Sequence, residues 1–192
     1  MTRGLAFRAR TLLSSQQALG KLLEQNEFEK ISVQDIADAA TLNRATFYDH
    51  YTDKFALLES MVAARFHELL ANRCVTFDET CGSALTGIVL GVCDFLAGIP
   101  GMDCPRQRQM GPHLESAVIT LVRRMILDGL ARHHSTSATS PQMIAATVSW
   151  AIYGAAKEWV QTPNRRPSEE IVGTVVTLVS PILTVMNASL KA

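Results

Sequence analysis

Hydrogen-bond donors of several kinds are concentrated between residues 44 and 54, where the sequence reads RATFYDHYTDK. Arg44 can donate to base edges or to phosphate, and Thr46 and Tyr48 can reach phosphate oxygens or a thymine methyl group. His50 can also donate to phosphate, and Lys54 can join the free N–H groups at the start of a helix as an anion site. Side chains of these types at this spacing are suited to binding a polyanion.

The segment before these donors predicts a short helix with a defined start. Ser32 can cap this helix, and Asp35 lies three residues later in a capping-box arrangement. The apolar residues that follow have one-face helical spacing and predict a helix from Val33 to Ala40. These apolar residues are Val33, Ile36, Ala37 and Ala40.

A tight turn and a second short helix follow. The turn is Thr41-Leu42-Asn43. Leu42 is expected to be its buried apolar residue, and Asn43 can cap the next helix. The second helix is predicted from Arg44 to Tyr51, with Phe47 as its inward anchor. Two short helices joined in this way form a helix-turn-helix, whose second helix fits the major groove of DNA.

The same segment resembles the DNA-binding domain of the tetracycline-repressor-like (TetR) transcriptional regulators. The family's pattern is Ile-(Ser/Thr)-x-x-x-Ile-Ala, a turn, and then Thr-Phe-Tyr-x-(His/Tyr)-(Phe/Tyr)-x-x-Lys. Here the pattern is present as Ile31-Ser32, Ile36-Ala37, Thr46-Phe47-Tyr48, His50-Tyr51 and Lys54. The resemblance implies an all-helical dimer with an N-terminal DNA-binding head and a C-terminal domain that binds a small molecule.

By this resemblance Asn43 starts the recognition helix and Ala45 lies against base edges. The residues expected to touch DNA are Ser32, Gln34, Asn43, Arg44, Ala45, Thr46, Tyr48, His50 and Lys54. Two residues depart from what DNA binding favours. Thr41 stands where the family usually has Gly, which eases a left-handed turn, and Asp49 repels phosphate unless it faces a cytosine amine.

Charge does not by itself indicate a nucleic-acid partner. The formal net charge of the 192 residues is zero, and the first 54 residues contain seven Arg or Lys and seven Asp or Glu. Binding to DNA must therefore rest on geometry, and we expect a modest affinity that falls with salt. Arg3, Arg8 and Arg10 could reach a minor groove, or they could belong to a solvated terminus.

Cysteine usage and hydropathy favour a cytoplasmic location and no membrane span. Cys74, Cys81, Cys93 and Cys104 form no CxxC motif, which favours reduced thiols. The N-terminal MTRGLAFRAR has no apolar core of a signal peptide. The segment from Ile171 to Leu190 is uncharged but contains many polar residues, so a buried interface helix is favoured over a span.

The remaining chain predicts helices separated by loops rich in Gly, Pro and Ser. With about nine helices and no strand alternation, the predicted class is all-α. Residues 1–54 form the expected DNA-binding domain, and residues 55–192 form the expected regulatory and dimerisation domain. A loop is predicted from Gly98 to Pro112, because three Gly and three Pro fall within it. The predicted helices outside the helix-turn-helix cover about 7–25, 53–73, 83–97, 113–132, 141–161 and 168–190.

The last two predicted helices have more apolar surface than one monomer core needs. The family dimerises through a four-helix bundle built from this pair, so a homodimer is expected, although a helix central in its own core would show a similar pattern. The residues expected at the dimer interface are Ile144, Val148, Ala151, Ala155, Trp159, Val175, Leu178, Ile182 and Val185.

A ligand pocket is expected between the fourth helix and the helices after it, because the family's C-terminal domain usually binds a small molecule there. A mostly apolar lining implies a small apolar or aromatic effector, with Lys157 or His113 as a polar anchor. The same residues could equally be ordinary core. The candidate lining consists of Phe66, Leu69, Phe95, Met110, Leu114, Val118, Trp150 and Tyr153.

Other functions have little support in the sequence. There is no GxSxG, phosphate loop or HExxH, so no enzyme and no cofactor are predicted. His113, His133 and His134 do not form a convincing metal site, and Cys104 near Arg106 and Arg108 is the best-placed candidate for a redox thiol. The alternative to a ligand-responsive repressor is a helical DNA-binding assembly protein without a small-molecule effector.

Overall fold

The computed structural model describes residues 2–73, 81–99, 105–132 and 139–188. No strand occurs among these residues, and the predicted all-α class is confirmed. Their helices are α1 (Thr2–Gln25), a single 3-10 turn (Phe28–Lys30), α2 (Val33–Ala39), α3 (Arg44–Tyr48), α4 (Lys54–Asn72), α5 (Cys81–Ala97), α6 (Pro105–Arg132), α7 (Pro141–Gln161) and α8 (Ser168–Ala188).

One compact unit consists of Met1–Val62 and Gly101–Leu114. Its core is built around Leu19, Phe28, Ile36, Phe47 and Leu57, whose side chains are almost completely buried. The helix-turn-helix is therefore fixed to α1 and α4 through large apolar side chains. The predicted functional boundary after residue 54 stays a prediction, because compactness alone does not assign function.

The second compact unit consists of Ala63–Pro100 and Glu115–Ala192. In it α5 packs against both α7 and α8. The sequence of α5 is apolar nearly all round, and Val89, Val92 and Cys93 have no exposed surface. Gly91 brings α5 close to α4, since a Cβ atom at this position would lie 2.6 Å from Cζ of Phe66.

Charged side chains connect three segments of the second unit. The Arg73 guanidinium donates to both carboxylate oxygens of Asp94, one of them (Oδ1) at 2.7 Å, and to Oε1 of Glu169 at 2.6 Å. These hydrogen bonds from Arg73 hold the pKa of the Glu169 carboxyl below its usual range. Arg73 therefore ties the end of α4 to α5 and to the first turn of α8.

The predicted loop from Gly98 to Pro112 was wrong in its second half, because α6 begins at Pro105 and continues through Pro112. Proline is favoured in the first turn of a helix, where its missing N–H has no partner to lose. Inside a helix it costs about 3 kcal/mol. Met110 and Leu114, on either side of Pro112, pack against the core of the N-terminal unit, and this burial offsets that cost.

Two smaller differences concern the ends of helices. α3 ends at Tyr48 with Asp49 as its C-cap, whereas the apolar pattern predicted helix as far as Tyr51. α1 begins at Thr2, five residues before the predicted start. Over the described residues, no helix has the length and the apolar character required to cross a membrane.

Thr41, at the position where the resembling family usually has Gly, adopts the left-handed backbone conformation with φ of 56°. The residue lies in the turn between α2 and α3, and its backbone N–H donates to the carbonyl of Asp38 at 3.0 Å. This conformation is strained for a β-branched residue. Asn164, in the turn between α7 and α8, has a similar φ of 53°, but Asn tolerates this region better.

We expect Thr41→Gly to raise the free energy of unfolding by about 1 kcal/mol, because glycine removes the left-handed strain. Asn164→Gly is the matched control and should gain only a few tenths of a kcal/mol, since asparagine is strained less. Urea unfolding followed by circular dichroism measures both variants. A Thr41→Gly protein no more stable than the Asn164→Gly protein would show that the turn is unstrained.

Candidate nucleic-acid interface

The start of α2 is held by the predicted capping box. The backbone N–H of Asp35 donates to Oγ of Ser32 at 3.1 Å, and the backbone N–H of Ser32 donates to Oδ2 of Asp35 at 2.8 Å. Oγ of Ser32 also donates to the same carboxylate at 2.7 Å, and these hydrogen bonds lower the pKa of Asp35. The Ser32 hydroxyl is thus already engaged with its own helix end.

The second helix, α3, is capped at one end and anchored in its middle. Oδ1 of Asn43 accepts a hydrogen bond from the backbone N–H of Ala45 at 2.9 Å, as predicted. Phe47 has no exposed surface and lies 5.5 Å, between ring centroids, from Tyr51. With Phe47 directed inward, Arg44, Ala45 and Tyr48 are exposed, whereas Thr46 and His50 are half-buried.

Arg44 and Tyr48 form a pair on the exposed surface of α3. Nη2 of Arg44 donates to Oη of Tyr48 at 3.2 Å, and the guanidinium carbon lies 5.5 Å from the centroid of the Tyr48 ring. A guanidinium has five N–H donors in a planar fork, so this contact leaves Arg44 with donors for another partner. The pair presents a positive charge beside an aromatic hydroxyl, which is suited to base edges and phosphate.

Gln34 is held by a neighbouring carboxylate, and three exposed acidic residues reduce the positive charge of this surface. Nε2 of Gln34 donates to Oδ1 of Asp38 at 2.8 Å within α2. Asp35, Asp38 and Asp49 are all exposed. The helix-turn-helix therefore has no net positive surface of its own, and the orientation of Arg44 matters more than bulk charge.

Lys54 has partners different from the phosphate that the sequence analysis assigned to it. Its Nζ donates to the carbonyl oxygens of Phe28 (2.9 Å), Glu29 (3.1 Å) and Ile31 (3.0 Å). Nζ also lies 4.8 Å from the centroid of the Phe28 ring. An ammonium has three donors, and the carbonyls at the end of a helical turn attract a cation; the Phe28 carbonyl also accepts the backbone N–H of Ile31 at 3.2 Å. The Lys54 side chain therefore connects the start of α4 to the 3-10 turn and to the residue that follows it.

His113, expected as a polar anchor of the ligand pocket, lies in the N-terminal unit. Its Nε2 lies 2.6 Å from Oε1 of Glu29, and its ring lies 5.2 Å and 5.3 Å from the rings of Phe28 and Phe55. All four residues belong to the N-terminal unit. Glu29 and His113 are 84 positions apart, and no local pattern in the sequence indicates that they pair.

The eight residues proposed to line a ligand pocket are not brought together. Met110 and Leu114 belong to the N-terminal unit, and the side chain of Trp150 is 57% exposed. Phe66, Leu69, Phe95, Val118 and Tyr153 lie in the second unit, where all except the half-buried Leu69 are buried. Nζ of Lys157 donates to Oε2 of Glu115 at 2.8 Å. A cavity does exist in the second unit, but none of the eight residues lines it.

The residues proposed for a dimer interface divide into two groups. Ile144, Val148 and Val175 are buried within their own chain and have little surface left for a partner, so their place at an interface stays a prediction. Ala151 and Leu178 are exposed, the latter by 69%, and Ala155, Trp159 and Ile182 are half-buried. The Val185 side chain lies outside the described residues. The exposed set, together with the exposed Met143 and Trp150, forms the apolar outer surface of α7 and α8.

Metal and redox chemistry find no support in the described part of the chain. No group of three or more His, Cys, Asp or Glu residues there could hold a metal ion. Burial raises the pKa of the Cys93 thiol to about 12, which keeps this thiol protonated and unreactive. Cys104, His133 and His134 lie outside the described residues.

Comparisons with known proteins show that the helix-turn-helix segment is similar in sequence to a protein family. Residues 18–61 match the family described as bacterial regulatory proteins, tetR family. An uncharacterized HTH-type transcriptional regulator of Bacillus subtilis strain 168, YxbF, is 33% identical over 66 residues, which are 32% of this chain and 17% of that protein. The match thus spans less than a fifth of that relative's length.

The fold has a counterpart among solved structures. A TetR transcriptional regulator from Streptococcus agalactiae 2603V is similar with a TM-score of 0.50 and 20% identity, over 93% of this chain and 99% of that one. At this identity the likeness concerns the fold. Over residues 18–61 the sequence is therefore similar to the tetR family of bacterial regulatory proteins, and the fold is similar to that of a solved TetR regulator.

Proposed function

We propose that this protein is a transcriptional regulator that binds double-stranded DNA in the cytoplasm through the exposed surface of α3. The main observation in support of this proposal is the fixed orientation of α3. Asn43 caps the helix, Phe47 is buried, and the Arg44–Tyr48 pair is exposed. Held in this way, α3 can enter a major groove without reorganising. Arg44, Ala45 and Tyr48 would meet base edges, and Asn43, Thr46 and His50 would lie towards the sugar-phosphate backbone.

The regulator is proposed to act as a homodimer on a palindromic operator. The apolar outer surface of α7 and α8 supports this, because Met143, Trp150 and Leu178 are each more than half exposed. Large apolar side chains concentrated on one surface are typical of protein interfaces. A two-fold dimer places two recognition helices one DNA turn apart, roughly 34 Å, and so reads a palindrome.

Its action is proposed to be ligand-responsive repression. A small, mostly apolar effector would bind the second unit and release the operator. Such release requires that the ligand have different affinities for the DNA-competent and DNA-incompetent states. We expect α4 to take part in this change, because it contains both Lys54 and His67, which is one of the residues that line the second unit's cavity.

Selection of bound fragments from random double-stranded DNA, at low and at moderate salt, tests the proposal. A palindromic motif that survives the higher salt is expected, because base contacts persist when phosphate contacts weaken. Recovery of unrelated sequences that are all lost at moderate salt would refute sequence-specific regulation. It would favour the alternative of a DNA-binding assembly protein.

Substitutions at Arg44 and Lys54 should have different effects. Arg44→Ala should lower affinity for the selected DNA roughly five- to 150-fold, the loss of about 1–3 kcal/mol of base discrimination. Its unfolding temperature should not change, because Arg44 is exposed. Lys54→Met should instead lower the stability of the protein, because the carbonyls of Phe28, Glu29 and Ile31 lose the Lys54 ammonium, and only that of Phe28 keeps the N–H of Ile31 as a donor.

Lys21→Met is the matched control for Lys54→Met, since it removes the same charge from an exposed site in α1. Differential scanning fluorimetry and fluorescence anisotropy with the selected DNA measure both properties. The structural role of Lys54 would be contradicted if Lys54→Met and Lys21→Met had equal unfolding temperatures and only Lys54→Met lost DNA affinity. That result would show that Lys54 binds phosphate.

Leu178→Glu should convert the dimer to a folded monomer, because it places a charge on a surface that is exposed in one chain but covered in the dimer. Affinity for the full palindrome should fall at least tenfold, because one head alone contacts a half-site. Leu13→Glu is the control, since Leu13 on α1 is 58% exposed. Sedimentation velocity gives the oligomeric state, and a Leu178→Glu protein that remains dimeric would place the interface elsewhere.

A further inference from the structure

The second compact unit contains a cavity of about 310 Å³. Helices α4, α5, α6 and α8 contribute to its wall. Leu85, Ile88 and Ile126, each at most 6% exposed, form its apolar part together with the half-buried Leu183. All of its lining residues lie in the ranges of the second unit. The cavity therefore belongs to this unit alone and shares no residue with the DNA-binding head.

The volume sets the size of a suitable occupant. Small-molecule sites generally have volumes of roughly 300–1,000 Å³, so this cavity is at the small end. An apolar cavity of about 150 Å³ is known to hold one benzene molecule. A cavity about twice that size fits a molecule of about two fused six-membered rings.

The polar groups of the wall favour an uncharged ligand with one hydroxyl. Nδ1 of His67 lies 2.7 Å from the carbonyl oxygen of Ala63. A carbonyl only accepts, so Nδ1 carries a hydrogen, and in the tautomer that carries its one ring hydrogen there Nε2 is an acceptor. Asp128 and Arg132 line the same cavity and have opposite charges. His67, Asp128 and Arg132 are all exposed, and the opposite charges of Asp128 and Arg132 leave this wall without a net charge that would favour an ionic ligand.

Gly129 keeps space open in this wall. It lies in the middle of α6 and lines the cavity, and a Cβ atom added to it would have no neighbour within 4 Å. Glycine in a helix interior costs about 0.5–1 kcal/mol relative to alanine. Its backbone conformation does not require glycine, since its φ is not positive. Glycine at position 129 thus lowers the stability of α6, but it leaves open volume in the cavity that His67 and Ile126 also line.

We propose that this cavity is the effector site of the regulator, and that it takes a compact, uncharged, mostly apolar molecule of two-ring size with a single hydroxyl. The assignment rests on the proposed function, because an effector has meaning only for a protein that regulates DNA binding. It replaces the pocket expected from the sequence. The hydroxyl donates to Nε2 of His67, while Leu85, Ile88 and Ile126 hold the rings.

The test is a titration of the full chain with three probes in the absence of DNA. The probes are 1-naphthol, naphthalene and 1-naphthoate, which share a ring system but carry a hydroxyl, no polar group and a carboxylate. Isothermal calorimetry should show one 1-naphthol per chain, bound several-fold more tightly than naphthalene and at least tenfold more tightly than 1-naphthoate. Tighter binding of 1-naphthoate would overturn the uncharged class, and no saturable binding of any probe would overturn the site.

Variants locate the binding. Gly129→Leu should reduce 1-naphthol affinity at least tenfold because the leucine occupies the cavity, and Gly20→Leu in α1 should leave it unchanged, since a Cβ atom at Gly20 also has no neighbour within 4 Å. Thermal unfolding checks that both variants fold. His67→Phe should abolish the preference for 1-naphthol over naphthalene. Wild-type affinity in Gly129→Leu would place the ligand elsewhere.

A final measurement separates this inference from the proposed function. Fluorescence anisotropy with the selected DNA, with and without saturating 1-naphthol, should show at least a fivefold loss of DNA affinity. Probe binding with unchanged DNA affinity would overturn the effector role. If no specific DNA is ever selected, the proposed function fails, whatever the outcome of the calorimetry.

Discussion

The burial of Phe47 is the constraint on which the helix-turn-helix depends. α3 has only five residues, and a helix of this length is unstable alone because its nucleation costs more than its few hydrogen bonds return. It exists because Phe47, with no exposed surface, joins a core that includes Leu19, Phe28 and Leu57. The same burial directs Arg44 and Tyr48 outward. One apolar side chain thus both stabilises the helix and sets which of its residues can face DNA.

The sequence predicted features that arise from neighbouring residues. The capping box of Ser32 and Asp35 and the cap at Asn43 depend on side chains two or three positions from their partners, so their pattern is visible in the chain itself. The bounds of α7 were predicted to the residue, from Pro141 to Gln161. In each case the local preference and the tertiary structure favour the same conformation.

Features that depend on distant residues could not be predicted in this way. Nothing near Lys54 in sequence indicates that it faces three carbonyls of the 3-10 turn, and nothing near Pro112 indicates that its neighbours would be buried. The apolar residues of α7 form one stripe and those of α8 extend around most of the helix, so the pattern could not decide which residues are covered by the same chain. Ile144 and Leu178 have the same sequence signal, yet one is buried and the other is exposed.

Gly91 has a consequence for how this chain can vary over evolution. Most apolar positions of α5 can exchange one aliphatic side chain for another, because their neighbours can repack around similar volumes. At Gly91 even a methyl group would meet the ring of Phe66 at 2.6 Å, so glycine can change only if Phe66 becomes smaller. Substitutions at the two positions must therefore be correlated. We expect related chains to have either glycine and phenylalanine here, or a larger residue at the first position with a smaller one at the second.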